Sequence, residues 1–95
     1  MNVVPDKKVL KDIEKLPKYA KNVAAIELEC LKLASNLDEL VNVKQMKGTN
    51  EPYYRMKFND YRFMLYYDVE TNTVEVISLT HRKDTYKKQN LPWRR

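Results

Sequence analysis

Two runs of alternating apolar and polar residues, separated by only two residues, constrain the fold of this chain more than any other feature. The runs span residues 53–58 and 61–68, and an Asn-Asp pair lies between them. Asn and Asp both tolerate positive φ, so this link predicts a tight β-hairpin. A second turn at 70–72 leads into an apolar, β-rich segment at 74–79, which predicts a central strand. The second half of the chain therefore predicts an antiparallel meander.

The first half of the chain has helical spacing instead. Apolar residues at intervals of three and four predict helices over residues 6–16 and 18–35, which we expect to form a hairpin. Residues 3–4 predict a very short first strand, and residues 82–88 predict a short final helix. The expected fold class is α+β, with the N-terminal helical hairpin packed on one side of a small antiparallel sheet.

Length and composition exclude several classes of protein. The 95 residues, 43% of them hydrophobic, predict one globular domain over residues 1–95. Cys30 is the only cysteine, so we expect no internal disulfide and a reducing cytoplasm. One Cys and one His cannot form a zinc site, and a single glycine excludes Gly-rich phosphate loops, so no cofactor is expected. The longest apolar run, 63–67, is too short to span a membrane, and the start of the chain does not predict a signal peptide.

The positive charge is concentrated in the last segment. Residues 82–95 contain six Lys or Arg and one Asp, whereas residues 1–81 contain twelve basic and twelve acidic residues. A basic segment beside a cationic strand favours a polyanionic partner such as RNA. A solvated terminal segment would show the same pattern, so the charge alone leaves both interpretations open.

Side chains alternate between the two faces of a strand, which places Arg55 and Lys57 on one face, about 7 Å apart. Arg62 follows the hairpin turn, and other polar groups follow the last strand. The predicted catalytic set contains cations and proton-transfer groups: Arg55, Lys57, Arg62, His81, Arg82 and Tyr86. Such groups can hold and cut a phosphodiester. Further RNA contacts are predicted from neighbouring lysines: Lys47, Lys83, Lys87 and Lys88.

Each residue of this set also has a purely structural interpretation. Arg55 and Lys57 would serve as solubilising charges on a two-sided sheet, and Tyr86 as an anchor into the core. His81 would be an ordinary structural histidine. The functional interpretation therefore depends on the convergence of these residues at one end of the sheet.

The order of these motifs resembles the RelE/ParE superfamily of toxins from bacterial type II toxin–antitoxin pairs. The resemblance covers nearly the whole chain. Its motifs are Met46-Lys47-Gly48, the basic strand at 54–58, Asp60-Tyr61-Arg62, the apolar strand that ends in His81-Arg82, and Tyr86.

This resemblance implies a ribosome-dependent endoribonuclease that cuts mRNA in the decoding site, in contact with 16S rRNA. By position, Arg55 and Lys57 match the paired basic strand residues of the RelE branch, and Arg62 matches its hairpin arginine. Arg82 and Tyr86 match the arginine and tyrosine that follow the last strand. The ParE branch poisons DNA gyrase and generally does not keep this set, so we favour the nuclease over a gyrase poison or an inactive binding domain.

The resemblance also implies a cognate antitoxin as partner, and operator DNA only through the antitoxin complex. Cleavage without a metal would use attack by the RNA 2′-OH on the adjacent phosphate. Lys57 is the predicted base, and His81 or Tyr86 the acid. Arg55 and Arg62 would stabilise the developing charge, and Arg82 would hold the scissile phosphate.

Overall fold

A computed structural model describes residues 1–94 and has two α-helices packed against one side of a five-stranded sheet. The elements are β1 (Asn2–Pro5), α1 (Lys7–Glu14), α2 (Lys18–Leu33), β2 (Val43–Gln45), β3 (Tyr53–Phe58), β4 (Tyr61–Asp68) and β5 (Thr73–His81). The order of the strands across the sheet is β1-β5-β4-β3-β2. All neighbours are antiparallel except β1 and β5, which are parallel. The predicted α+β fold class is confirmed.

The two helices begin where the sequence predicts but end slightly earlier. The Asp6 carboxylate accepts a hydrogen bond from the Lys8 backbone N–H at 3.3 Å, which caps α1. Pro17 directly precedes α2, with φ of −54°. Since the ring of proline fixes φ near this value, it suits the entry to a helix.

The hairpin of β3 and β4 has the predicted bounds. Phe58 pairs with Tyr61, so only two residues link the strands, and Asn59 has φ of 52°. The second turn, between β4 and β5, contains Asn72 at φ of 49°. Gly48, in the loop between β2 and β3, has φ of 91°, a conformation that side chains with a Cβ rarely adopt.

The segment after β5 differs from the prediction. The helix expected over residues 82–88 is wrong: this part of the chain forms consecutive turns, followed by short 3-10 turns at Lys88–Asn90 and Pro92–Arg94. Local hydrogen bonds compete with a helix here. The Asp84 N–H donates to the His81 carbonyl at 2.8 Å, and the Thr85 hydroxyl lies 2.9 Å from that of Thr80.

The sheet has two unlike faces. The covered face, which packs against the helices, forms the main core with residues such as Val9, Leu31, Met56 and Phe63. The opposite face, called the open face below, has a small second cluster. Its buried members are Met46, Met64 and Leu91, and Tyr53, Ile77 and Trp93 pack against them. None of the helices within residues 1–94 is long and apolar enough to cross a membrane.

Candidate functional site

The register of the sheet brings three predicted cations together at the hairpin end of the open face. Lys57 on β3 lies directly opposite Arg62 on β4, and Arg55 is two residues from Lys57 on the same strand. Directly opposite residues in an antiparallel pair have Cβ atoms about 5 Å apart. Met56 and Phe58, which alternate with these cations, are buried in the main core.

Arg62 is the most constrained of these side chains. Its Nη1 donates a hydrogen bond to the Tyr61 carbonyl oxygen at 2.9 Å. Partial burial and the nearby charges of Arg55 and Arg82 lower the pKa of the Arg62 guanidinium from its usual value, while Tyr86 and Asp60 act in the opposite direction. Arg62 therefore lies close to two further arginines, and an anion placed between them would relieve the repulsion.

Arg82 and Tyr86 approach this cluster from the segment after β5. The Arg82 N–H donates to the Asp60 carbonyl oxygen at 2.7 Å, which fixes the backbone beside the hairpin turn. The Arg82 Nε lies 3.6 Å from Oδ1 of Asp60, and both side chains are more than half exposed. Tyr86 is 56% exposed and close enough to Arg62 to influence its pKa. Both residues remain accessible to a polyanion.

His81 does not join the cations. It lies opposite Tyr61 in the register, so its side chain belongs to the covered side of the sheet. The His81 ring packs edge-on against Tyr61 with centroids 5.7 Å apart, and His81 Nδ1 accepts a hydrogen bond from the Lys83 N–H at 3.2 Å. These contacts stabilise the end of β5.

The lysines predicted to bind RNA are divided between two places. Lys83, Lys87 and Lys88 follow Arg82 in the turns after β5, near the cationic end. Lys87 Nζ also lies 2.7 Å from Oδ1 of Asp84, and this hydrogen bond is the main cause of a lowered Asp84 pKa. Lys47 lies at the opposite end of β3, because the preceding residue pairs with the first residue of that strand.

Lys44 is a cation that the sequence analysis missed. It lies directly opposite Arg55, on β2, a three-residue edge strand that was not predicted. An open cavity of about 350 Å³ is lined by Val41, Asn42, Lys44, Arg55 and Lys57. The alternation of an apolar Val43 with a charged Lys44 is the one sequence pattern that could have predicted β2. A run of three residues is too short to indicate a strand by itself.

The cationic patch consists of Lys44, Arg55, Lys57, Arg62, Arg82 and the adjacent Tyr86. It can bind successive phosphates and stabilise charge that develops on one of them. Within residues 1–94, no group of three or more His, Cys, Asp or Glu side chains lies close enough together to hold a metal ion.

Comparison with known proteins identifies the class to which this protein belongs. The family model described as the ParE toxin of type II toxin–antitoxin system, parDE, matches residues 3–86. The chain belongs to this family, within the RelE/ParE superfamily, and is a toxin of a type II toxin–antitoxin system. No curated protein sequence gives a significant match.

Solved structures of RelE–RelB complexes share the fold. The archaeal complex from Pyrococcus horikoshii OT3 matches with a TM-score of 0.71 and 23% identity, over 85% of this chain and 93% of that one. The RelB–RelE complex from Methanococcus jannaschii matches with a TM-score of 0.65 and 26% identity, over 88% and 95%. The intact E. coli RelBE complex matches with a TM-score of 0.63 and 23% identity, over 84% and 94%.

Proposed function

We propose that this toxin is a RelE-like endoribonuclease that cuts translated mRNA on the ribosome, in the cytoplasm and without a metal. The observation that carries the proposal is the cationic patch, in which Arg55, Lys57 and Arg62 share one end of the open face with Arg82 and Tyr86. Several cations close together suit a phosphodiester that gains negative charge as it is cut. The neighbours with the same fold are RelE–RelB complexes, which supports the RelE branch.

The proposed reaction is an attack of the RNA 2′-OH on the adjacent phosphorus. The O2′–P bond forms and the P–O5′ bond breaks, which leaves a 2′,3′-cyclic phosphate and a 5′-OH. Lys57 in its uncharged form accepts the 2′-OH proton, and Tyr86 donates a proton to the leaving O5′. Tyr86 is preferred over His81 as the acid because it lies close to Arg62, whereas His81 packs on Tyr61.

The arginines have electrostatic roles in this proposal. Arg62 is held by its hydrogen bond to the Tyr61 carbonyl, so it meets the phosphate with little loss of freedom. Arg55 and Arg62 together stabilise the extra negative charge of the pentavalent state. Arg82 exchanges its exposed contact with Asp60 for the scissile phosphate.

We also propose that a cognate antitoxin binds this toxin, as RelB does in the complexes that share the fold. The exposed surface of α2 supports a protein partner. Tyr19, Ile26 and Leu33 are 60%, 61% and 82% exposed and recur every seven residues, so they form one apolar stripe. A groove of about 510 Å³ beside this helix is lined in part by Val23, Cys30 and Leu40.

Gyrase poisoning is the second candidate, because the matching family model bears the ParE name. The two candidates differ in what happens to mRNA after induction. A nuclease shortens translated transcripts, whereas a gyrase poison leaves them intact and induces the DNA-damage response.

Induced expression in a bacterial host, with primer-extension mapping of a translated reporter mRNA, tests the proposal. We expect cuts in frame with codons for the wild type and for Lys21→Ala, a control that removes an exposed cation from α2. Arg82→Ala should abolish both the cuts and growth arrest without loss of folding. A fully toxic Arg82→Ala variant would remove Arg82 from the site, and growth arrest with intact mRNA would favour gyrase.

A further inference from the structure

The end of the open face that is remote from the hairpin turn has a different chemistry from the cationic patch. Tyr53 on β3 lies opposite Tyr66 on β4, and Tyr66 lies opposite Glu75 on β5, so all three share the open face. The Tyr53 and Tyr66 rings pack edge-to-face with centroids 5.1 Å apart. Trp93, from the segment after β5, packs on Tyr53 with centroids 4.9 Å apart. Three aromatic rings therefore meet at this end.

An open cavity of about 390 Å³ lies beside these rings. It is lined by Glu51, Tyr53, Tyr66, Glu75, Ile77 and Pro92, which together form the aromatic–acidic pocket. Glu51 and Glu75 are exposed, and neither takes part in the ion pairs formed within the described part of the chain. The pocket therefore combines ring surfaces with two carboxylates.

The two charged side chains that line this pocket, Glu51 and Glu75, are both acidic, although the formal net charge of the chain is +5. Burial raises the pKa of the Tyr53 hydroxyl, and the nearby Glu51, Tyr66 and Glu75 raise it further. The faces of aromatic rings also carry negative charge density. A phosphate or nucleic-acid backbone would be repelled here, whereas a cation is attracted by both the rings and the carboxylates.

We propose that the aromatic–acidic pocket binds the cationic end of an Arg or Lys side chain from a protein partner. Such a side chain has an apolar stem that suits Ile77 and Pro92, and a charged end that suits Tyr53, Tyr66 and the two carboxylates. On β4, Met64 lies between Arg62 of the cationic patch and Tyr66 of the pocket, so the two are distinct regions of the open face. This inference does not require that the toxin cuts RNA.

A titration with small peptides tests the charge requirement. The probe is Ac-Ala-Arg-Ala-NH2, and its matched control contains citrulline, which has nearly the same shape without the charge. Trp93 is the only tryptophan, so its fluorescence reports on the pocket. All proteins in the titration carry Arg94→Gln and Arg95→Gln, so that these cations next to Trp93 in the sequence do not compete. We expect saturable binding of the Arg peptide and about tenfold weaker binding of the citrulline peptide.

Variants of the pocket test its location. Glu51→Gln combined with Glu75→Gln removes both carboxylates and should weaken binding of the Arg peptide about tenfold. Glu70→Gln, which neutralises an exposed acid in the turn after β4, is the matched control and should bind as the parent does. NMR spectra should place the largest changes in the ring signals of Tyr53 and Tyr66.

Three results would overturn the proposal. The first is equal binding of the Arg and citrulline peptides, and the second is unchanged binding of the Arg peptide by the double Gln variant. The third is displacement of the Arg peptide by pentauridylate, with changes in the same ring signals of Tyr53 and Tyr66. That result would make the pocket an RNA subsite. The double Gln variant should still cut mRNA, whereas Arg82→Ala should still bind the Arg peptide. Failure of this proposal and failure of the proposed nuclease activity are therefore distinguishable.

Discussion

The covered and open faces of the same sheet differ in composition and in exposure. The covered face is continuous apolar packing, in which Met56, Phe63 and Leu65 are completely buried under the helices. The open face has cations at its hairpin end, a small apolar cluster near its middle and the aromatic–acidic pocket at its other end. Neighbouring residues on one strand therefore have unrelated roles. Stability should depend mainly on the covered face and recognition on the open face.

The largest expected effect is a difference in stability between variants of two adjacent residues of β4. Phe63→Ala removes a fully buried ring from the covered face and should lower the free energy of unfolding by about 3–5 kcal/mol. Arg62→Ala, on the open face, should cost no more than about 1 kcal/mol but abolish mRNA cleavage. Urea unfolding measures the first quantity and primer extension the second. Equal losses of stability in the two variants would contradict this division of roles.

The covered face and the hairpin could be predicted from the sequence because local rules determine them. Alternation in β3 and β4 and an Asn-Asp link were sufficient to predict both strands with their bounds. The apolar spacing that predicts the two helices is similarly local. Each of these features is determined by residues close in sequence, so contacts with distant parts of the chain do not change them.

The missed features depend on partners distant in sequence. β2 obtains its hydrogen bonds from β3, and its three residues carry too weak a pattern to predict a strand, so Lys44 was missed with it. The segment after β5 follows its contacts with the sheet and its own turns rather than helix propensity. His81 was grouped with the cations because it precedes Arg82, although the register assigns it to the other face.

The next effect concerns the small apolar cluster that holds the last segment on the open face. Leu91 is 3% exposed between Met46 and Met64, so Leu91→Ala should cost about 2 kcal/mol, the low end of the range for buried leucines, because the cluster is thin. Trp93 fluorescence should change as its packing on Tyr53 loosens. Leu33→Ala, at a leucine that is 82% exposed, should change stability by less than about 0.5 kcal/mol. A Leu91→Ala variant as stable as this control would show that the cluster does not hold the segment.

A smaller effect on RNA affinity is expected at Asp60, an acidic neighbour of the cationic patch. Asp60→Asn removes the exposed ion pair to Arg82, which is worth about 0.2–1 kcal/mol, so RNA affinity should rise severalfold. The slope of log affinity against log salt should steepen, because Arg82 is then available to phosphate. Glu14→Gln makes the same change in net charge on α1 and is the control. Equal gains in both variants would attribute the effect to net charge alone.

The smallest expected effect is on the pH dependence of stability, and it concerns Tyr53 at the pocket end of the open face. The pKa of Tyr53 is raised in the folded chain by burial and by Glu51, Tyr66 and Glu75, so folding favours its protonated form. The unfolded chain loses this proton first, near the ordinary tyrosine pKa of 10.0. The associated stability is therefore fully present below pH 10 and is lost as pH rises through the raised pKa of Tyr53. Tyr53→Phe should make the free energy of unfolding fall less steeply above pH 10 than it does in the wild type, which urea unfolding at a series of pH values measures. If Tyr53→Phe followed the wild-type curve, Glu51 and Glu75 would have no influence on the Tyr53 hydroxyl, and the expected attraction of the pocket for a cation would lose this support.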